Sequence, residues 1–588
     1  MKRFLAFCLT VLLLAGICTA GVSAKGTETA CDGNCAFYPT IIVPGLGQSN
    51  VVVVDENGNF VRDKDGKKAS AFPAYLQTGK LLKTLLRPAL LSLMMQRDVG
   101  LSDAFVTALR DSFGVNTCDL NANPIGPVQT EKYPYSYARY NAEEREVVNT
   151  HIPFELYPTD LPRDHLYYFT YNSFGNHISL AEELFAYIQM VQQQTGHKKV
   201  NLVPLSQGAS IVSAMLDYHP EIGDCLHKVL FVVPALDGSR IIGDVFTGRV
   251  TFLNKDYLYH GFLENIRLLD AATASLLEVV LRILPDEVWM AALQKGVNYL
   301  VEEVMTRSTG MWALCPSGDY KAAAKRYLSS PDRANIKAQT DRYYQAQKRS
   351  RANIAALQKK GVQVFDMVEY DYALINVGER WNDTNGDFII QTDSTSMGAT
   401  LSRVGETLPQ GYKQQNTHCT NPAHNHLSPD GVVDASTGLL PDTTFYFKNQ
   451  RHDLTQHNDI ILKLAMNLIA HDDIRDVYSS PDFPQFNNGR NVKNILELLD
   501  KAADVNTKLL LPSVKKELAG AVAQANEVLS KTVDTADALP NAEARLSKAL
   551  VRAGAKLPEV QAPDVLAPFS AFLFKHFGTN GYSELLKK

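Results

Sequence analysis

In Pro204-Leu205-Ser206-Gln207-Gly208 a serine stands between an apolar run, VNLVPL, and a helix-forming run, GASIVSAML. A serine on a tight strand-to-helix turn has its oxygen exposed and a helix N-terminus beneath it, which suits nucleophilic attack on a carbonyl. Gly208, two residues on, lets strand and helix approach without a side chain between them. The usual turn carries glycine two residues before the serine. Here that position is Pro204, whose fixed φ suits a strand end but whose ring is bulkier. The competing reading of Ser206 is a residue that merely opens a helix.

Such a serine needs a base, and the base an acid to orient it. The chain order Ser, Asp, His fits this type of turn. His452 in KNQRHDLT follows the run TTFYF and precedes a closing helix that begins near Asn458. His457 competes with it, although a residue at that helix start serves equally well as a cap or a surface group. Two acids are candidates, Asp387 in NGDFII and Asp430 in PDGVVDAS. With Asp387 and His452, the imidazole takes the Ser206 proton and returns it to the leaving alcohol, while the carboxylate holds the tautomer.

Metal chemistry is not expected. Asp383, Asn385 and Asp387 imitate the start of a calcium loop, but Phe388 and Ser394 stand where glycine and glutamate belong. His418, Cys419, His424 and His426 are dense, yet their spacing matches no zinc signature, and Cys419 could equally be disulfide-bonded. No cofactor is expected.

The elements that must position these residues alternate. From His165 to His219 the order is strand HLYYFTY, helix SLAEELFAYIQMVQQQTG, strand KVNLVPL and helix GASIVSAMLDYH, with Gly196 as a C-terminal cap and strand KVLFVVPAL following. This predicts parallel β-α-β units under helices on both faces. Upstream, YPTIIV runs into Pro44-Gly45, and NVVVVDENGNFV reads as a hairpin. Residues 80–113 read as helical. About residues 240–345 the alternation breaks, and LLEVVLRILPDEVWMAALQKGVNYLVEEVM predicts amphipathic helices over the sheet. Strands GVQVFDMVEY and TTFYF and helix NDIILKLAMNLIAH then complete a core that ends near residue 475. Beyond DFPQF, residues 490–552 predict a helical bundle, with Asn541 as the cap of its last helix.

The 588-residue chain opens with Lys2 and Arg3, an apolar run to about Ile17, and small residues at Val22 and Ala24, which predicts a cleaved secretory signal over 1–24. A lipid-attachment box at Cys18 is disfavoured because Ile17 precedes it, where a small residue belongs. No transmembrane helix is expected in the mature chain. Loss of Lys2 and Arg3 moves the formal net charge from −5 to −7, and nothing points to nucleic acid. Secreted, extracellular or cell-surface residence makes disulfides possible among Cys31, Cys35, Cys118, Cys225, Cys315 and Cys419, with Cys31 and Cys35 near enough to pair locally. The expected divisions are the signal, a domain over 25–480, and a helical region over 490–588.

Taken together, VPGLGQ, the serine turn, NGDFII and QRHD resemble the lipase branch of the α/β-hydrolases, including lecithin:cholesterol acyltransferase-like enzymes and secreted bacterial lipases. FTYNSFGNHISLAEELFAYIQ and the Trp-containing GMWALCP add to that resemblance, which covers about residues 38–475. It implies an α/β-hydrolase fold, a mostly parallel sheet flanked by helices, with a helical cap insertion and an all-α C-terminal appendage. It favours Asp387 over Asp430, and it implies an oxyanion hole made by the backbone N–H groups of Leu46 and Gln207. The implied activity is hydrolysis of a lipid or other acyl ester through an acyl-serine, with transient lipid-interface contact and a cap able to act as a lid. Acyl transfer by the same triad is an alternative. A catalytically inactive surface-binding protein on the same scaffold is another.

Overall fold

Short runs such as Thr40–Val43 and Val200–Pro204, buried at every position, form a sheet covered on both faces. The computed structural model describes residues 31–555, except positions 32, 34, 64–65, 73–77, 158, 251–281, 283, 376–380 and 534. The expected signal, much of the expected cap around 265–305 and the last 33 residues therefore lie outside the described residues.

The central strands are β1 (Thr40–Val43), β2 (Leu166–Tyr168), β3 (Val200–Pro204), β4 (Leu226–Val232), β5 (Gln363–Tyr370), β6 (Thr444–Lys448) and β7 (Phe486–Asn488). Their order is β2-β1-β3-β4-β5-β6-β7, and every pairing is parallel. The strand β7 extends the sheet past the end near 475 expected from sequence. Three residues at an edge, only one of them a large hydrophobe, leave no periodicity to read.

Alternation along each strand divides the core in two. Ile41, Val43, Leu202 and Val229 face one side, with α2 (His177–Thr195), α3 (Gln207–Tyr218) and α5 (Ala334–Lys359). Ile42, Val203, Leu205 and Val232 face the other, against α6 (Asp459–Ala470). The Asn176 side chain caps α2, and Gly196 ends it at φ 72, as the sequence predicts.

Above the sheet, α1 (Leu101–Phe113) crosses α4 (Asp286–Tyr299) so closely that a Cβ on Gly296 would stand 2.4 Å from the Phe105 ring. The predicted hairpin forms, with Gly58 at φ 80 in its turn and Val61 N–H bonded to Val53 O. The short helix Thr309–Trp312, which opens the GMWALCP stretch, is buried core beside the serine turn.

Helices α7 (Lys493–Ala503), α8 (Pro512–Ser530) and α9 (Ala538–Arg552) share a core of Ile495, Leu518, Ala525 and Leu546. Asn541 lies inside α9 and is not its cap. The helix starts earlier because Pro540 in its first turn needs no N–H partner. This module is tied to α6: buried Arg490 holds Asp459 through two bonds of 2.8 and 2.7 Å and donates to the carbonyls of Val528, at 2.8 Å, and Lys531.

Candidate active site

The turn between β3 and α3 sets Ser206, the candidate nucleophile. Ser206 has φ 48 and ψ −120, a backbone strain that puts its side chain above the strand ends. The turn is held on three sides: Leu205 N–H donates to Val43 O, Ser206 N–H to Val232 O, and Ala235 N–H to Ser206 O. Pro204 is the last residue of β3, and bonding to both neighbouring strands continues past it through the Leu205 and Ser206 N–H groups, so its missing N–H takes one donor from the ladder. A Cβ on Gly208 would lie 2.1 Å from Val43 O and 2.6 Å from Pro44 O, so only glycine fits there.

Ser206 Oγ lies 2.8 Å from His452 Nε2, and His452 Nδ1 lies 2.8 Å from Asp387 Oδ2. Asp387 is fully buried, and His452 is nearly so. The other carboxylate oxygen of Asp387 accepts N–H bonds from Ile389, at 3.0 Å, and Ile390, at 2.7 Å. His452 N–H donates to Asp387 O at 2.8 Å, so backbone as well as side chain fixes the pair. The Asp387 loop turns through Phe388 at φ 84, whose ring lies 3.9 Å from the Arg451 guanidinium.

Gly45 passes directly over the serine. A Cβ there would be 2.9 Å from Ser206 Cβ. Gln48 shapes this loop by accepting the Gly45 N–H at 2.6 Å. Leu46 from the same loop lines a pocket with Ser206 and His452. Gln207 is the first residue of α3, so its N–H has no partner within the helix. Its side chain is buried and donates to the carbonyls of Ser173 and Gly310.

A narrow pocket runs from Ser206 between the sheet and α6. Its walls are Leu205, Val232, Ile461, Ala465, Met466 and Ile469. From Ile461 to Ile469 the helix spans about 12 Å. His151 also lines it; burial pushes this imidazole down to about 4, so it presents a neutral ring.

The rival residues stand elsewhere. Asp430 bonds to Lys448, at 2.8 Å, and to Tyr370 and Ser428. His457 is pushed down to about 4 by burial and the Lys493 charge, and it is absent from the pocket. The calcium-like residues diverge: Asp383 pairs with Arg403, Asn385 accepts from Asp371 N–H, and Asp387 serves His452. None of the six cysteines expected as disulfide partners is paired. Cys118 and Cys315 are buried among apolar side chains of the same core.

Sequence reasoning missed Gln48, although it directly follows the VPGLG turn, and Glu369. Glu369 is buried behind the triad, with Thr455 Oγ1 3.3 Å from both its oxygens and 3.0 Å from His452 O. Burial, and then the Asp387 charge, hold its carboxyl well above the usual range. The folded chain therefore keeps a proton that the unfolded chain releases, and stability falls as pH rises above the ordinary carboxylate range. Glu369→Gln is expected to fold as the native chain does, with a stability gain growing by at most about 1.4 kcal/mol per pH unit. Urea unfolding at pH 5 and pH 8 checks the sign.

No family model and no curated protein matches the chain. Among solved structures, a chain of "The crystal structure of Tle4-Tli4 complex" aligns at 12% identity and a TM-score of 0.29, over 73% of this chain and 97% of its own length. The strand order, the flanking helices and the serine turn after β3 define an α/β-hydrolase fold, a hydrolase scaffold. No helix among the described residues is long and apolar enough to cross a membrane.

Proposed function

We propose that the protein is a secreted serine hydrolase of carboxylic esters with apolar acyl groups. The observation that carries this reading is the Ser206–His452–Asp387 relay, with both links at 2.8 Å, at the mouth of an apolar pocket. His452 Nε2 accepts the Ser206 proton as Oγ attacks the ester carbonyl, and Asp387 stabilises the imidazolium. The Leu46 and Gln207 N–H groups receive the oxyanion. Collapse of the intermediate expels the alcohol with the proton from His452, and leaves an acyl-serine that water cleaves by the same steps. Secretion rests on the segment 1–24 alone.

A fluorophosphonate probe tests the chemistry. The wild-type chain should be labelled and Ser206→Ala should not; a folded wild type that stays unlabelled refutes the proposal. Product analysis with an added lipid alcohol separates hydrolysis from acyl transfer.

The acyl chain is assigned to the space between the sheet and α6. Ala465→Trp places an indole in that space and is expected to depress kcat/KM for long-chain p-nitrophenyl esters at least about tenfold more than for the acetate, the order of one or two methylenes of binding energy. An equal loss across the series would move the acyl site elsewhere.

A further inference from the structure

At the end of the sheet opposite Ser206, four side chains from three separate places converge. Cys31 and Cys35 precede β1, His165 directly precedes β2, and His197 lies between α2 and β3. These strands are neighbours in the order β2-β1-β3, so their N-terminal ends bring the groups together. The two Sγ atoms are 3.5 Å apart without a disulfide. Cys35 Sγ lies 3.0 Å from His165 Nε2 and 3.4 Å from His197 Nε2, and Cys31 Sγ lies 3.3 Å from His197 Nε2.

We propose that Cys31, Cys35, His165 and His197 bind a structural zinc ion. A tetrahedral site with ordinary Zn–S and Zn–N bonds sets ligand atoms about 3.8 Å apart for S···S and about 3.6 Å for S···N. The observed separations are shorter than these by about 0.2 to 0.6 Å, so the site needs only a small expansion.

The supporting groups agree. Asp164 Oδ1 stands 2.6 Å from His165 Nδ1, so Nδ1–H faces the carboxylate and the Nε2 lone pair faces the thiols. Gly33 N–H donates to Cys31 Sγ at 3.4 Å. Gly33 has φ +82, and a Cβ there would be 2.6 Å from Gly196 O, so the loop seats against the end of α2 only as glycine. Binding displaces both thiol protons to solvent. Four protein ligands leave no open position, and about five strand residues, some 17 Å, separate the ion from the catalytic end. The ion therefore staples the chain ahead of β1 to the edge strand β2 and takes no part in the chemistry.

A second cluster carries the same inference on its own observation. Cys419, His424, His426 and Asp442 each offer an atom within 4.8 Å of the others. His426 is fully buried; its Nδ1 lies 2.9 Å from Gln485 Oε1 and so carries the proton. Its Nε2 has no hydrogen-bond partner and faces Asp442 Oδ1 at 3.3 Å. Two acceptors face each other there, and a cation between them removes the conflict. We infer that this group holds a second zinc. His418, grouped with it in the sequence, is outside the set.

Zinc content of the mature chain, purified without chelator, tests both sites. Wild type should hold two equivalents, Cys31→Ser/Cys35→Ser one, and His426→Ala one, with fluorophosphonate labelling of Ser206 unchanged. Cobalt in place of zinc should give thiolate charge-transfer and tetrahedral ligand-field bands that weaken in each variant. If the double serine variant fails to fold, X-ray absorption at zinc in wild type decides, since a site with two sulfur ligands must appear. Peptide mapping that finds Cys31 and Cys35 joined as a disulfide overturns the first site. Zinc content unchanged by His426→Ala overturns the second.

Discussion

Asp387→Asn is expected to lower kcat for ester hydrolysis by about ten-thousand-fold with KM little changed, because the amide cannot hold the imidazole tautomer that accepts the Ser206 proton. Asp387 is well placed for so large an effect. One oxygen is fixed by two backbone N–H groups and the other meets His452 Nδ1, so an amide placing NH₂ toward either set loses a buried bond. The matching Asp430→Asn should leave kcat within about twofold, since its carboxylate serves Lys448 and Tyr370. Equal losses in the two variants would break the assignment. Steady-state kinetics on one soluble ester, with circular dichroism to verify folding, are sufficient.

Gly208→Ala is expected to remove soluble, folded protein, at a cost above about 4 kcal/mol. The added methyl would sit 2.1 Å from Val43 O and 2.6 Å from Pro44 O. Neither oxygen can move freely: Val43 O accepts from Leu205 N–H, and Pro44 O from the Tyr171 hydroxyl at 2.7 Å. Relief would have to come from separating β1 from α3, which dismantles the loop carrying Leu46. Soluble yield and thermal melting read the result. A stable alanine variant would mean that the serine turn is looser than its contacts indicate.

What could be read along the chain was local. Ser206 and His452 were legible because each sits at the junction of two strongly periodic runs, and Gly196 and the DENG turn because glycine leaves a signature wherever φ is positive. Asp387 needed the resemblance, since two acids shared its pattern; the structure separates them by bringing only one to His452. The pocket beside Ser206 was not legible: its wall is α6, whose Ala465 and Met466 look like any buried helix face until the sheet opposite is known. The cysteine and histidine group spans 130 residues or more between its halves, and only the parallel neighbours β2, β1 and β3 make it a group.

The Arg490 clasp changes the meaning of the three C-terminal helices. Asp459 begins the helix that walls the pocket, and Arg490 neutralises it while hanging on the far end of α8. Cut away, the tail would take with it the Val528 and Lys531 carbonyls that hold Arg490 against Asp459, and would leave a pocket wall loosened at its anchored end. The tail is thus a buttress for the pocket wall, not a passenger, and under the proposed function a protease that trims it should alter which esters are cleaved before it alters whether they are.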